Sequence, residues 1–184
     1  MYSQVIDFIR QTFHQPDGIV PLHAPCFVGN EKKYLDECID STYVSSVGKF
    51  VDRFEEMVAQ YTGAKRAVVC VNGTNALHMA MLLAGVERED EVITQPLTFI
   101  ATCNAISYIG AYPVFLDVDL DTLGLSPSKM REWLQINSEI WNNVCYNKTS
   151  GRRIKACVPM HTFGHPVHLD ELSVLCEEYR IELV

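Results

Sequence analysis

Apolar positions along this chain follow two rhythms, and the change comes near residue 67. Val5, Ile6, Phe8, Ile9 and Phe13 recur at helical spacing with Asp7, Arg10 and Gln11 between them. That spacing predicts a short amphipathic helix, ended by Pro16-Asp17-Gly18. Glu31 to Asp40 predicts a second helix, with Tyr34, Leu35 and Cys38 on one side. Ser41 to Gly48 is a polar, glycine-ended loop. Phe50 to Tyr61 predicts a third helix, with Phe54, Met57 and Val58 turned inward and Gly63 as its C-terminal cap.

From Ala67 onward, short apolar runs alternate with helical patterns. Ala67–Val71 reads as a buried strand, Asn72-Gly73-Thr74 as a turn, and Asn75 to Ala84 as a helix ending at Gly85. Further strands are expected at Glu91–Thr94, Pro113–Leu116, Ile154–Met160 and from Ile181, with helices near Ala101–Ile109, Lys129–Ile136 and Leu169–Tyr179. Strand-helix alternation with apolar strands is the pattern of a parallel sheet covered on both faces. The fold class is therefore α/β, a three-layer α/β/α arrangement with a mostly parallel sheet. Asn137 to Lys155 is polar and without clear period, a hairpin-like insertion or a loop.

Composition narrows this picture. The 184 residues allow one domain, or one and part of another. Apolar residues at 48% and charged residues at 21% suit a globular chain. A net charge of −8 argues against a general nucleic-acid binder, which would carry a basic face. The seven cysteines show no CxxC spacing and several lie in apolar runs, as reduced thiols do. The first fifteen residues lack a basic start and an apolar core, and no run approaches the roughly 18 residues of a membrane span. The expected compartment is the cytoplasm.

Three segments could carry chemistry. Val71-Asn72-Gly73-Thr74-Asn75 takes a strand into a helix through a glycine. The free N–H groups and positive dipole end of such a helix suit a phosphate; an ordinary cap by Asn72 or Thr74 is the plainer alternative. Gln95–Thr102 follows a strand and holds Phe99, which either stacks on a flat ligand or belongs to the core. Cys157, His161, His165 and His168 are metal-ligand types, interrupted by Gly164 and Pro166; a pocket-lining histidine is the competing reading, and no metal is expected. Other patterns fail. Asp117-x-Asp119-x-Asp121 lacks the Gly and Glu of a calcium loop. Gly48-Lys49 lacks the first Gly and the Ser/Thr of a P-loop. Ser46-x-x-Lys49 and Ser126-x-x-Lys129 lack the companion motifs of serine–lysine hydrolases.

Taken together, PLHAPCFVGNEKKYLDECIDSTYVSSVGKFVDRFEEMVAQYTG, VNGTNALHMAML, DEVITQPLTFIATCNAISYIGAYPVFLDVD and VPMHTFGHPVHLDEL, in that order, resemble the first half of a DegT/StrS-type aminotransferase. These enzymes use pyridoxal 5'-phosphate to aminate nucleotide-linked keto sugars. VSSVGK, QPLTFIATCNAI, TLGL and MHTFGHP are similar to a subgroup acting on UDP-linked 4-keto-6-deoxy sugars on routes to bacillosamine or legionaminic acid.

The resemblance implies an aspartate aminotransferase-like large domain, incomplete here, with residues 1–63 as a helical segment and substrate-cleft loop and 64–184 as the first part of the cofactor-binding domain. It implies that Gly73, Thr74 and Asn75 hold the cofactor phosphate, that Phe99 stacks on the pyridine ring and that His161 lines the pocket. Tyr43, Ser45 and Ser46 fall in the loop that helps form the nucleotide-sugar cleft. The family's Schiff-base lysine and the Asp that keeps the pyridine nitrogen protonated match no position of this chain. The expectation is an N-terminal piece of a homodimeric enzyme, inactive alone. The other readings are a non-catalytic phosphate-ligand or assembly module and a His-rich metal-dependent hydrolase.

Overall fold

Helices form where the apolar period demanded them. The computed structural model describes residues 2–21 and 24–184, which divide into two compact units, Met1–Arg66 and Ala67–Val184. The first unit holds α1 (Ser3–Thr12), α2 (Glu31–Ser41) and α3 (Lys49–Thr62). Gly63 ends α3 in the left-handed conformation, the geometry glycine adopts at least cost. None of the three helices contains a fully buried residue. Phe54 and Met57, expected to face inward, are exposed, and so is Leu35 of α2. An amphipathic helix buries its stripe only against another layer, and the unit's own helices do not supply one.

In the second unit, α4 (Gly73–Leu83) precedes β1 (Glu91–Thr94), α5 (Ile100–Ile109) and β2 (Tyr112–Phe115). Then come α6 (Pro127–Asn137), the strands β3 (Ser138–Trp141) and β4 (Val144–Asn147), and β5 (Ile154–Val158). A 3-10 turn at Thr162–Gly164, α7 (Leu169–Tyr179) and β6 (Glu182–Leu183) complete it. The main sheet has the order β2-β1-β5-β6, with every pairing parallel. The segment 137–155 forms an antiparallel hairpin of β3 and β4. Buried Glu91 ties it to the sheet, accepting from Asn147 Nδ2 at 2.8 Å and Ser150 Oγ at 2.6 Å.

Successive strand residues point to opposite faces, and the core divides accordingly. Ile93, Ile154 and Cys157 pack with Met130 and Leu134 of α6 and Leu172, Leu175 and Cys176 of α7. Val92, Ala156 and Val158 pack with Met81 of α4 and Ala105 and Ile106 of α5. The sheet is thus the middle layer of three.

One expected strand is absent. Ala67–Val71 joins neither sheet, and Val68 and Val71 are 82% and 84% exposed. A strand exists only through its ladder to a neighbour, whatever its own β propensity. Cys70, expected inside that strand, is only half-buried.

Candidate functional site

In the order β2-β1-β5-β6 the chain leaves β1 toward β2 on one side and later enters β5 on the other. The crevice beyond the carboxyl ends of β1 and β5 is therefore the switch point at which open α/β sheets bind ligands. Thr94 Oγ1 donates to Val158 O at 2.8 Å and closes the two strands there. Gln95 follows, with its side chain wholly buried. Its Nε2 group donates to Leu97 O at 2.9 Å, Leu123 O at 3.2 Å and Thr162 Oγ1 at 2.9 Å. Its Oε1 accepts from Leu125 N at 2.7 Å and Met160 N at 3.1 Å. One amide thus joins the loops that follow β1, β2 and β5. The sequence places Gln95 in a segment of interest but gives it no role; a glutamine directly after the strand Glu91–Thr94 is the available signal.

The N-terminus of α4 lies on the same edge of the sheet. The other end of α4 is fixed at the opposite edge, where Arg153, just before β5, donates to Gly85 O and Gly85 lies against the Lys155 side chain. Eleven helical residues span about 16 Å, close to the length of the strands they cover. Asn72 caps the helix, its Oδ1 accepting from Asn75 N at 2.9 Å. The capping alternative is thus correct for Asn72, and it engages the Asn75 N–H. The N–H groups of Gly73 and Thr74 have no protein acceptor among the described residues. A Cβ added at Gly73 would meet nothing within 4 Å. The space over two free donors at a positive helix end is open, which fits a phosphate.

Phe99 is the N-cap of α5 with extended backbone, and its side chain is 74% exposed. The core alternative for Phe99 is therefore wrong, because the apolar interior on that face is closed by Ala105 and Ile106 deeper in α5. Thr98 Oγ1 pairs with Thr102 Oγ1 at 2.9 Å and contacts Met160 Sδ at 3.2 Å. His161, next to Met160, is exposed, and its Nδ1 accepts from Val167 N at 3.2 Å. That bond fixes the neutral tautomer with the proton on Nε2, leaving a donor at the ring's outer edge.

In the first unit, Tyr43 and Ser45 line a cavity of about 480 Å³ with Cys38, Ser41, Val47 and Phe50. Ser46 is exposed and is not among its lining residues. Lys49 also lines it and donates to Glu37 Oε2 at 2.7 Å, a bond that holds the Glu37 carboxyl below its ordinary pKa.

The other sequence patterns do not assemble. Cys157 is buried in the core, and the hydrogen bond with Cys176, followed by burial, pushes its thiol well above the usual range. Cys157 sits among Met130, Leu172 and Leu175 in the core, away from the three histidines of the pattern. His168 Nε2 pairs with Asp121 Oδ2 at 3.0 Å, and among the described residues only Asp119, Asp121 and His168 form a group of metal-ligand type. Ser126 Oγ caps α6 by accepting from Lys129 N at 3.3 Å, while Lys129 Nζ pairs with Glu132 at 3.2 Å. That serine and lysine are a helix cap and a surface ion pair.

Comparison with known proteins places this geometry. The model of the DegT/DnrJ/EryC1/StrS aminotransferase family matches residues 25–184. The chain is 35% identical to the GDP-perosamine synthase of Escherichia coli O157:H7 over 90% of its own length and 41% of that protein's. It is 32% identical to a Bacillus subtilis protein named as a pyridoxal phosphate-dependent aminotransferase, EpsN, over 89% of the chain and 39% of that protein. The solved structure of an aminotransferase from Psychrobacter cryohalolentis superposes with a TM-score of 0.72 at 27% identity, covering 89% of this chain and 38% of that one. The chain spans about two-fifths of the length of the curated relatives it matches. Among the described residues no helix is long and apolar enough to cross a membrane.

Proposed function

The chain belongs to the DegT/DnrJ/EryC1/StrS aminotransferase family, and from that premise we propose that it carries the cofactor-phosphate and ring-stacking half of a pyridoxal phosphate-dependent sugar aminotransferase. The observation that carries the proposal is the shared edge: free helix N–H groups at Gly73 and Thr74, and an exposed Phe99 ring, on the carboxyl side of one parallel sheet. Gly73 and Thr74 bind the phosphate through backbone N–H groups, with Asn75 held by the Asn72 cap. Phe99 offers a flat apolar face to the pyridine ring. His161 lines the same pocket and presents an Nε2–H donor. Pyridoxal phosphate, when bound, supplies the electron sink that transamination needs.

The substrate is a nucleotide-linked 4-keto-6-deoxy sugar, with glutamate as amino donor. The loop with Tyr43, Ser45 and Ser46 takes the nucleotide end, and UDP is our assignment from the segments VSSVGK and MHTFGHP. The compartment is the cytoplasm and the working assembly a homodimer. Loops 72–75, 95–99, 117–126 and 159–168 contain no lysine, so the lysine that would bond covalently to the cofactor comes from elsewhere in the working enzyme.

The test is direct. Incubated with pyridoxal phosphate and reduced with borohydride, the 184-residue chain is expected to show saturable cofactor binding without a stoichiometric lysine adduct. Failure to bind at all sinks the cofactor assignment, and a stoichiometric adduct sinks the division of labour. Calorimetric titration with UDP and GDP checks the nucleotide.

A further inference from the structure

We propose that Gln95 is a positioning residue for the cofactor pocket, its amide setting the placement of Phe99 and the His161 segment on the sheet edge. The inference rests on the cofactor reading above but draws on a separate feature, the buried hydrogen-bond hub. Gln95 binds Leu97 O, two residues before Phe99, and Met160 N, one residue before His161. The same side chain binds Leu123 O and Leu125 N on either side of Gly124. Thr162 accepts from Gln95 and donates to Leu123 O at 2.8 Å, closing a ring of bonds.

The amide has one workable orientation. Its oxygen faces two backbone N–H groups and its nitrogen faces two carbonyls and a hydroxyl. Two strained residues lie in the segments it holds. Leu123 and Phe163 both have positive φ, 55° and 53°, a conformation that non-glycine residues keep only when the surroundings impose it. Leu123 is bonded directly by the hub, and Phe163 follows Thr162. The segment that carries His161 is thus held, at Phe163, in a strained conformation next to a residue bonded by the fully buried Gln95 amide. Sites whose supporting bonds are lost keep their residues but lose their placement.

The experiment compares the chain with Gln95→Glu, Gln95→Met and Thr162→Val. Each is titrated with pyridoxamine phosphate, which needs no lysine, by the ligand's fluorescence well below the melting temperature. Amide hydrogen exchange is followed in parallel. Gln95→Glu keeps the shape but sets a carboxylate oxygen against two carbonyls; Gln95→Met keeps the length without polar atoms. Both are expected to weaken binding by about tenfold or more, the scale seen when groups that orient a binding shell are removed. Thr162→Val is expected to weaken it by about threefold and, combined with Gln95→Met, to add less than its separate effect. Exchange should quicken at 97–99, 123–125 and 160–163 while β1 and β5 keep their protection. Unchanged affinity in both Gln95 variants, or a uniform loss of protection, overturns the proposal. If the unaltered chain takes up no pyridoxamine phosphate, the cofactor reading falls, and the exchange pattern alone decides whether Gln95 fixes the loops.

Discussion

Gly124 shows how closely the loops of the sheet edge approach one another. A Cβ built on it would lie 2.2 Å from Val167 Cγ1, 3.2 Å from Val167 Cβ and 3.4 Å from Met160 O. Val167 is buried and β-branched, so it has little rotamer freedom with which to yield. Its N–H also donates to His161 Nδ1, so moving Val167 moves the bond that fixes the His161 tautomer. Gly124→Ala is therefore expected to cost about 1–3 kcal/mol, the usual range for overpacking a closed site. Denaturant titration measures it. Gly73→Ala is the control: its added methyl meets open space, so a loss at Gly73 equal to that at Gly124 would refute the steric argument. Leu123, before Gly124, adds a different demand, since its left-handed φ is maintained by bonds to its carbonyl from Gln95 and Thr162.

At the scale of elements, α4 couples stability to the candidate phosphate site. Removing its cap by Asn72→Ala releases Asn75 N–H and is expected to destabilise by about 1 kcal/mol, with faster exchange confined to the first turn of α4. The cap and the cradle are then separable, because Gly73 and Thr74 N–H do not depend on the Asn72 side chain. A loss spread across β1 and β5 instead would contradict a local capping role. The elements most legible in the sequence are those whose period alone decides them. Glu91–Thr94 and Leu169–Tyr179 appear with the expected bounds. The earlier start of α6 at Pro127 carried its own signal, Ser126 as cap and proline in the first turn. What could not be read locally depended on distant partners. Gln95 bonds residues 28 to 67 positions away, and no window of sequence contains them together. Phe99 is apolar and belongs to no stripe, so only the packed core shows that it lies outside. Ala67–Val71 failed for the reverse reason: its composition announces a strand, but the ladder that would make it one is a property of a neighbour.

For the whole molecule, that missing ladder and the exposed helix stripes set the solution behaviour. Val68 and Val71 expose most of their surface within an apolar run of high β propensity, the profile of a segment that pairs with another chain. Burying one valine side chain is worth about 1.5 kcal/mol or more, so two per contact give a real drive to associate. Apolar Leu35, Phe54 and Met57 add to it from the first unit. The net charge of −8 opposes association over distances of about 8–10 Å in physiological salt, but not at contact. The 184-residue chain is therefore expected to self-associate in sedimentation velocity, increasingly at higher salt. Val68→Lys with Val71→Thr is expected to shift it toward monomer. Because both side chains face water, the double variant should keep the unaltered chain's thermal midpoint at low concentration. A monodisperse, cooperatively melting monomer for the unaltered chain would contradict this account. Association unchanged by the double variant would move its source from residues 67–71 to the exposed faces of α2 and α3.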